Sequence, residues 1–187
     1  MPKSLTANSP LRDYLRMPEL KPALEYVGGR IVQKMSPMLP HSVIQGELRD
    51  ALNIFARPLK LGRAYTELRA VYGGSARVAD VSYYSANRLP KILRREDPIE
   101  VTLAPDIVVE ILSPGQTTSE LRKKVQFSIR HGSRLGWLIH PKRERVDVLG
   151  PNREIRSLRI GEALTGEDVL PGFSLPLEVL FGWLDEE

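Results

Sequence analysis

An apolar run at 104–113, APDIVVEILS, places four branched side chains in the five positions 107–111 and interrupts them with one acid, Glu110. Pro105-Asp106 opens the run and Ser113-Pro114 closes it, so the pattern predicts a buried strand over about 103–112. A carboxylate in such a strand needs a cation, a hydrogen-bond donor or a proton, because leaving it uncompensated away from water costs on the order of several kcal/mol. The partner for Glu110 must come from elsewhere in the chain.

Upstream, residues 1–9 have no periodicity and predict a loose arm, while Leu11, Tyr14 and Leu15 predict a short helix stopped by Pro18. Residues 25–35, EYVGGRIVQKM, read as a β-hairpin about Gly28-Gly29, a pair that supplies positive φ. Between 42 and 55, Val43, Glu47, Leu48, Ala51, Leu52 and Phe55 recur at helical spacing, with Glu47 beside the apolar stripe. Residues 62–73 alternate as a strand and Gly73-Gly74 turns the chain. Residues 77–85, RVADVSYYS, then alternate as a second strand with Val78, Asp80, Ser82 and Tyr84 on one face. The basic, proline-broken stretch 88–96, RLPKILRRE, joins that strand to the one carrying Glu110, and its charge suits a phosphate backbone as well as plain solvent.

Downstream, Thr117 and Glu120 have capping-box spacing, so a helix is predicted from about Thr118. Leu121, Val125 and Ile129 form its stripe; Lys124 lies at the margin of that stripe and Lys123 points away. His131-Gly132 is the predicted stop. LGWLIH at 135–140 reads as a central strand, with RVDVL at 145–149 as its hairpin partner; His140, a lone histidine, reads as structural. Residues 153–160 predict an edge strand, and the tail 171–185 closes the core through Phe173, Leu177, Phe181 and Trp183.

Composition narrows the class. The 187 residues are 42% hydrophobic and 27% charged, which suits one folded domain, 1–187, with a real core. The absence of cysteine excludes disulfides and thiolate metal sites and favours the cytoplasm. Three histidines argue against a zinc cage, and no apolar run is long enough for a membrane span or a signal peptide. Net charge is +4, and 19 of the 27 basic residues are Arg, which favours bidentate phosphate contacts and hence a nucleic-acid partner.

Candidate chemistry follows from strand pairing. If the strand at 103–112 returns antiparallel beside 77–85, Asp80 meets the neighbourhood of Glu110. Asp106 shares a face with Glu110, but four residues separate their Cα atoms by about 13 Å, too far to hold one ion easily. Asp80 with Glu110 is thus the better chelating pair, and two carboxylates are hard ligands suited to Mg²⁺ or Mn²⁺. Lys124 is the lysine able to reach them; Asp106 and Glu47 are possible outer ligands. Metal-assisted phosphodiester hydrolysis is the chemistry implied.

EYVGGRIVQKMSP with His41, RVAD at 77–80, APDIVVEILSP at 104–114, Lys124 eight residues before Gly132, GWLIHP at 136–141 and LPGFSLP at 170–176 form an ordered series. It resembles the Uma-type endonuclease family of the PD-(D/E)XK restriction-endonuclease-like superfamily, from about residue 25 to the carboxyl end. The resemblance implies an α/β (α+β) fold with an αβββαβ core, a mixed central sheet flanked by helices and an N-terminal hairpin. It places the first acid at Asp80 and the second at Glu110. The superfamily's usual lysine, two residues after that Glu, is Leu112 here, so the resemblance carries the lysine to Lys124. Further departures are Ala79 for Pro, Ser128 for Tyr and His140 for Asp.

Three readings result: a Mg²⁺- or Mn²⁺-dependent DNA endonuclease, with a homodimer as one way to cut both strands; a nucleic-acid-binding or assembly protein keeping the fold without the chemistry; and a structural protein in which Glu110 pairs with Lys124 as a buried ion pair.

Overall fold

The structure, a computed structural model, describes residues 4–6, 10–88 and 100–185. Strand β1 (Ser4–Thr6) and helix α1 (Leu11–Leu15) precede the hairpin of β2 (Leu24–Val27) and β3 (Arg30–Gln33), whose turn residues Gly28 and Gly29 both have positive φ. Helix α2 (Leu39–Ala56) is followed by β4 (Gly62–Thr66), β5 (Arg69–Tyr72), β6 (Ser75–Val78), β7 (Val81–Ser85) and β8 (Ile107–Ile111). Then come α3 (Thr118–Arg130), β9 (Leu135–His140), β10 (Arg145–Leu149), β11 (Arg156–Arg159), β12 (Ala163–Thr165), β13 (Ser174–Pro176) and α4 (Leu177–Gly182).

Six strands form a mixed central sheet in the order β11-β10-β9-β8-β7-β4. Strands β8 and β9 run parallel, a pairing that requires a crossover, and α3 is that crossover. Alternation along β8 sends Ile107, Val109 and Ile111 into a core shared with Ile44, Leu48 and Leu52 of α2, together with Trp137 and Phe173. Val108 emerges on the other face, under Leu121 and Val125 of α3. Helices therefore cover both faces of β8, which explains why all five of its residues are buried.

A second, antiparallel sheet has the order β1-β3-β2-β6-β5. It accounts for the main departure from the hydrophobic pattern. The stretches 62–73 and 77–85, each expected to be one strand, are each divided between the two sheets, at Glu67-Leu68 and at Ala79-Asp80. Glu67 adopts a left-handed φ of 49°, which turns the first stretch, and its N–H donates to the Asp80 carbonyl across the bend. Alternation reports which face a residue takes and is blind to a bend that moves the chain between sheets.

Three smaller corrections have equally local causes. Residues 4–6 of the expected loose arm pair with the outer strand β3, Ser4 opposite Val32, because that edge offers unpaired backbone groups. Helix α2 begins at Leu39, and its buried side is His41, Ile44, Gln45, Leu48, Leu52 and Ala56. The expected stripe was rotated by about one residue, so Glu47 is exposed. Strand β8 starts only at Ile107, since the Asp106 carboxylate accepts from the Ser85 N–H at 2.8 Å and closes the approach to the strand. The basic connection expected over 88–96 lies outside the described residues apart from Arg88, which pairs with Asp106 at 3.0 Å.

Candidate active site

The seam between the two sheets gathers the buried charges. Asp80 occupies the break between β6 and β7 and is 2% exposed. The register of β7 on β8 pairs Val81 with Val109, and one residue further along sets Asp80 against Glu110. A hydrogen bond locks this arrangement: the Ile111 N–H donates to Asp80 Oδ2 at 2.7 Å. The Asp80 carbonyl accepts from Gln45 Nε2 of α2 at 2.9 Å, which ties the bend to the helix.

Two lysines enter from opposite sides. Lys34, one residue beyond β3, donates to Asp80 Oδ1 at 2.7 Å and to the Val78 carbonyl at 2.9 Å. Lys124 comes down from α3 and lies 2.8 Å from Glu25 Oε2 but 3.9 Å from Glu110 Oε2. Glu25, buried on β2, also accepts from the Val78 N–H at 3.0 Å. The expected Glu110–Lys124 pair is therefore a weak outer contact, and the close partner of Lys124 is Glu25. From α2, His41 Nε2 sits 3.4 Å from Asp80 Oδ1 while its Nδ1 shares a hydrogen bond of 2.8 Å with Ser113 Oγ.

These environments split the acids. Burial alone would raise the Asp80 carboxyl, yet Lys34 and His41 outweigh it and hold the group well below the usual carboxylate range. Glu25 follows the same logic: burial raises it, and Lys124 with Lys34 brings it below its ordinary value. For Glu110 the balance tips the other way. Burial pushes its carboxyl up to about 7, against the pull of Lys124 and with the help of the Asp80 charge. Among the described residues its side chain accepts no hydrogen bond. Burial would lower both lysines, but Asp80 for Lys34 and Glu110 with Glu25 for Lys124 raise them above the ordinary value, so both remain ammonium ions.

Of the residues singled out in the sequence, Asp80, Glu110 and Lys124 come together and two others do not. Asp106 lies at the opposite end of β8, its carboxylate held by the Ser85 N–H and Arg88. Glu47 faces solvent from α2, whose contributions at the seam are His41 and Gln45. Lys34 and Glu25 are additions that sequence reasoning missed. In a hairpin read by alternation, a terminal lysine and a strand glutamate look solvated, and only the docking of that hairpin on β6 buries them. His41 stands in the motif series but carried no role. His140 is buried, and its Nε2 lies 3.1 Å from Asp147, apart from the acid cluster.

Could these side chains hold a divalent ion? Among the described residues no group of three or more acids and histidines has the spacing of a complete metal cage. A buried carboxyl without a donor beside a second carboxylate is nevertheless the donor set that Mg²⁺ uses when water and phosphate oxygens complete its shell. Asp80 and Glu110 fit that group.

The αβββαβ order of α2, the central-sheet strands β4, β7 and β8, α3 and β9, with the mixed sheet and the corner of acids and lysines, defines a restriction-endonuclease-like fold. The chain belongs to the Uma2 family, described as "Putative restriction endonuclease", whose profile matches residues 11–178. It is similar to a crystal structure described as a "putative nuclease belonging to DUF820" from Anabaena variabilis, with 33% sequence identity and a TM-score of 0.85. That likeness covers 94% of this chain and 99% of the other. Comparison with curated protein sequences gives no match.

Proposed function

We propose that this chain is a cytoplasmic endonuclease that hydrolyses phosphodiester bonds in DNA with Mg²⁺ or Mn²⁺, held by Asp80 and Glu110. The observation that carries the reading is Glu110: a buried acid with no hydrogen-bond donor among the described residues, set beside an ionised Asp80. When bound, the ion would lower the pKa of a water and offset charge on the scissile phosphate. The protein's own residues supply the rest. The Ile111 N–H and Gln45 fix Asp80, so its carboxylate needs little reorganisation to act as a ligand. Glu25 anchors the Lys124 ammonium through one of its three donors and leaves the others for the attacking water and the phosphate oxygens. Lys34 keeps Asp80 ionised, and His41 is braced by Ser113. Hydrolysis forms a bond from water oxygen to phosphorus and breaks one ester P–O bond. Cutting both strands of a duplex needs two such sites, so a homodimer belongs to this reading where the product is a double-strand break.

One observation favours a second reading, a nucleic-acid-binding protein without the chemistry. Both oxygens of Asp80 are already engaged, Oδ1 by an ammonium at 2.7 Å and Oδ2 by a backbone N–H, and Leu112 occupies the superfamily's lysine position. Incubation of the purified chain with plasmid and linear DNA in Mg²⁺ or Mn²⁺ separates the two. We expect nicking or cutting that EDTA stops and that Glu110→Gln abolishes without loss of fold. A wild-type chain inert on DNA under these conditions would leave the binding reading in its place.

A further inference from the structure

A cavity of about 490 Å³ lies between the β2–β3 hairpin and α3, beside Asp80 and Glu110 but lined by neither. Glu25, Lys34, Arg77, Lys123, Lys124 and Arg130 are among the residues that line it. Five of its lining residues are cationic and two are acidic, and both acids are already occupied. Glu25 is bound to Lys124, and Glu120 accepts from the Thr117 N–H and hydroxyl in the α3 capping box. Arg77 is the exceptional member. Its guanidinium lies over the Phe127 ring, 4.2 Å from the centroid, and its Nε is buried without a hydrogen-bond partner. Among the described residues no carboxylate lies within ion-pairing distance of it. A half-buried guanidinium held over an aromatic ring with no carboxylate partner keeps its charge and N–H donors available for a planar or tetrahedral oxyanion.

The helix extends this feature into a track. Lys123, Phe127 and Arg130 recur at helical spacing on one side of α3, so the two cations lie about 10 Å apart along the axis, the span of about three phosphates in a stacked strand. Tyr72 and His131 pack against the Phe127 ring from other sides, with centroids at 5.8 and 4.2 Å, and prevent it from swinging out to stack on a base. Its service is to hold Arg77.

We propose that Arg77 is a phosphate clamp, and that it works with Lys123 and Arg130 to lead the sugar-phosphate backbone of one nucleic-acid strand along α3 into the cavity above Glu25 and Lys124. The inference rests on the nuclease reading for the location of the reacting phosphate. It adds a substrate path and a positioning residue, with affinity supplied by backbone contacts that carry no base sequence.

Binding without cutting isolates the clamp. Fluorescence anisotropy of end-labelled single- and double-stranded oligonucleotides is measured in EDTA across a salt series, for the wild type, Arg77→Ala, Arg77→Lys, the double variant Lys123→Ala/Arg130→Ala, and Arg57→Ala as an exposed control at the end of α2. Thermal melts check the fold of each. Arg77→Ala is expected to weaken binding about tenfold on every sequence and to reduce the salt slope by about one. Arg77→Lys should recover part of the affinity, because charge is kept while the planar guanidinium over the ring is lost. The exposed double variant should weaken binding with an unchanged melt, which keeps the test intact if Arg77→Ala unfolds. Arg57→Ala should bind as the wild type does. Wild-type affinity in a folded Arg77→Ala, wild-type affinity in the double variant, an equal loss in Arg57→Ala, or no binding by the wild type overturns the proposal. Clamp-dependent binding by a chain that never cuts would refute the nuclease reading and leave the clamp standing. Cutting with KM and affinity indifferent to Arg77 would do the reverse.

Discussion

Glu110 and Asp80 lie opposite each other and both feel Lys34, yet their protons are held very differently. The folded Glu110 carboxyl keeps its proton up to about pH 7, whereas an unfolded one loses it near 4.5. The folded state therefore binds more protons than the unfolded state inside that window, and stability attributable to Glu110 falls as pH rises through it. Glu110→Gln removes this dependence. Relative to the wild type it should be near neutral below pH 4.5 and gain at most ~3 kcal/mol above pH 7, as read by urea denaturation at pH 5 and pH 8. A gain that shrinks with rising pH would contradict the assignment. Asp80 has the opposite dependence on its surroundings. Lys34→Met leaves that buried carboxylate without its nearest cation and should cost about 3–5 kcal/mol in the same measurement. Lys124→Met should cost less, because Lys124 is 24% exposed where Lys34 is 9%, and water can replace part of what is lost.

At the scale of elements, the position of Lys124 depends on how closely α3 approaches the sheet. Gly136 on β9 permits that approach: a Cβ there would come within 2.3 Å of Val125 Cγ1, the residue next to Lys124. Gly136→Ala should destabilise by about 1–3 kcal/mol and lift α3 away from the sheet. Cutting should then fall further than stability accounts for, seen as a lower kcat at a temperature where the variant is fully folded. The start of α3 was legible from residues alone, because both halves of the Thr117–Glu120 capping box form as their spacing requires. The bend at Glu67 and Asp80 was not. A left-handed glutamate leaves no signature in an alternating pattern, and a strand that changes sheets keeps its alternation on either side of the bend.

Across the whole molecule, the two sheets and two helices bring charges from five segments to one seam, so ion binding there should be felt by the entire fold. A metal that binds the folded state and displaces the Glu110 proton should raise Tm more at pH 8 than at pH 6, and the rise should vanish in Glu110→Gln. Calorimetry with Mg²⁺ and Mn²⁺ checks this. Equal shifts at both pH values would place the ion elsewhere. No helix among the described residues is long and apolar enough to cross a membrane.

The sequence by itself determined the central strand, its buried acid and the capped helix that delivers Lys124. Each of these follows from local spacing: period two along a strand, 3.6 along a helix, and proline or a capping box at the ends. The tertiary structure decided which cation meets which acid. Lys124 is separated from Glu25 by 99 positions and Lys34 from Asp80 by 46, and no local period couples residues so distant. It also removed Asp106 and Glu47 from the site, the first by its distance along β8 and the second by a rotation of α2 of about one residue. Ion pairing at the seam is set by how the hairpin docks on β6 and how α3 docks on β8 and β9, and docking depends on packing among all of these segments together.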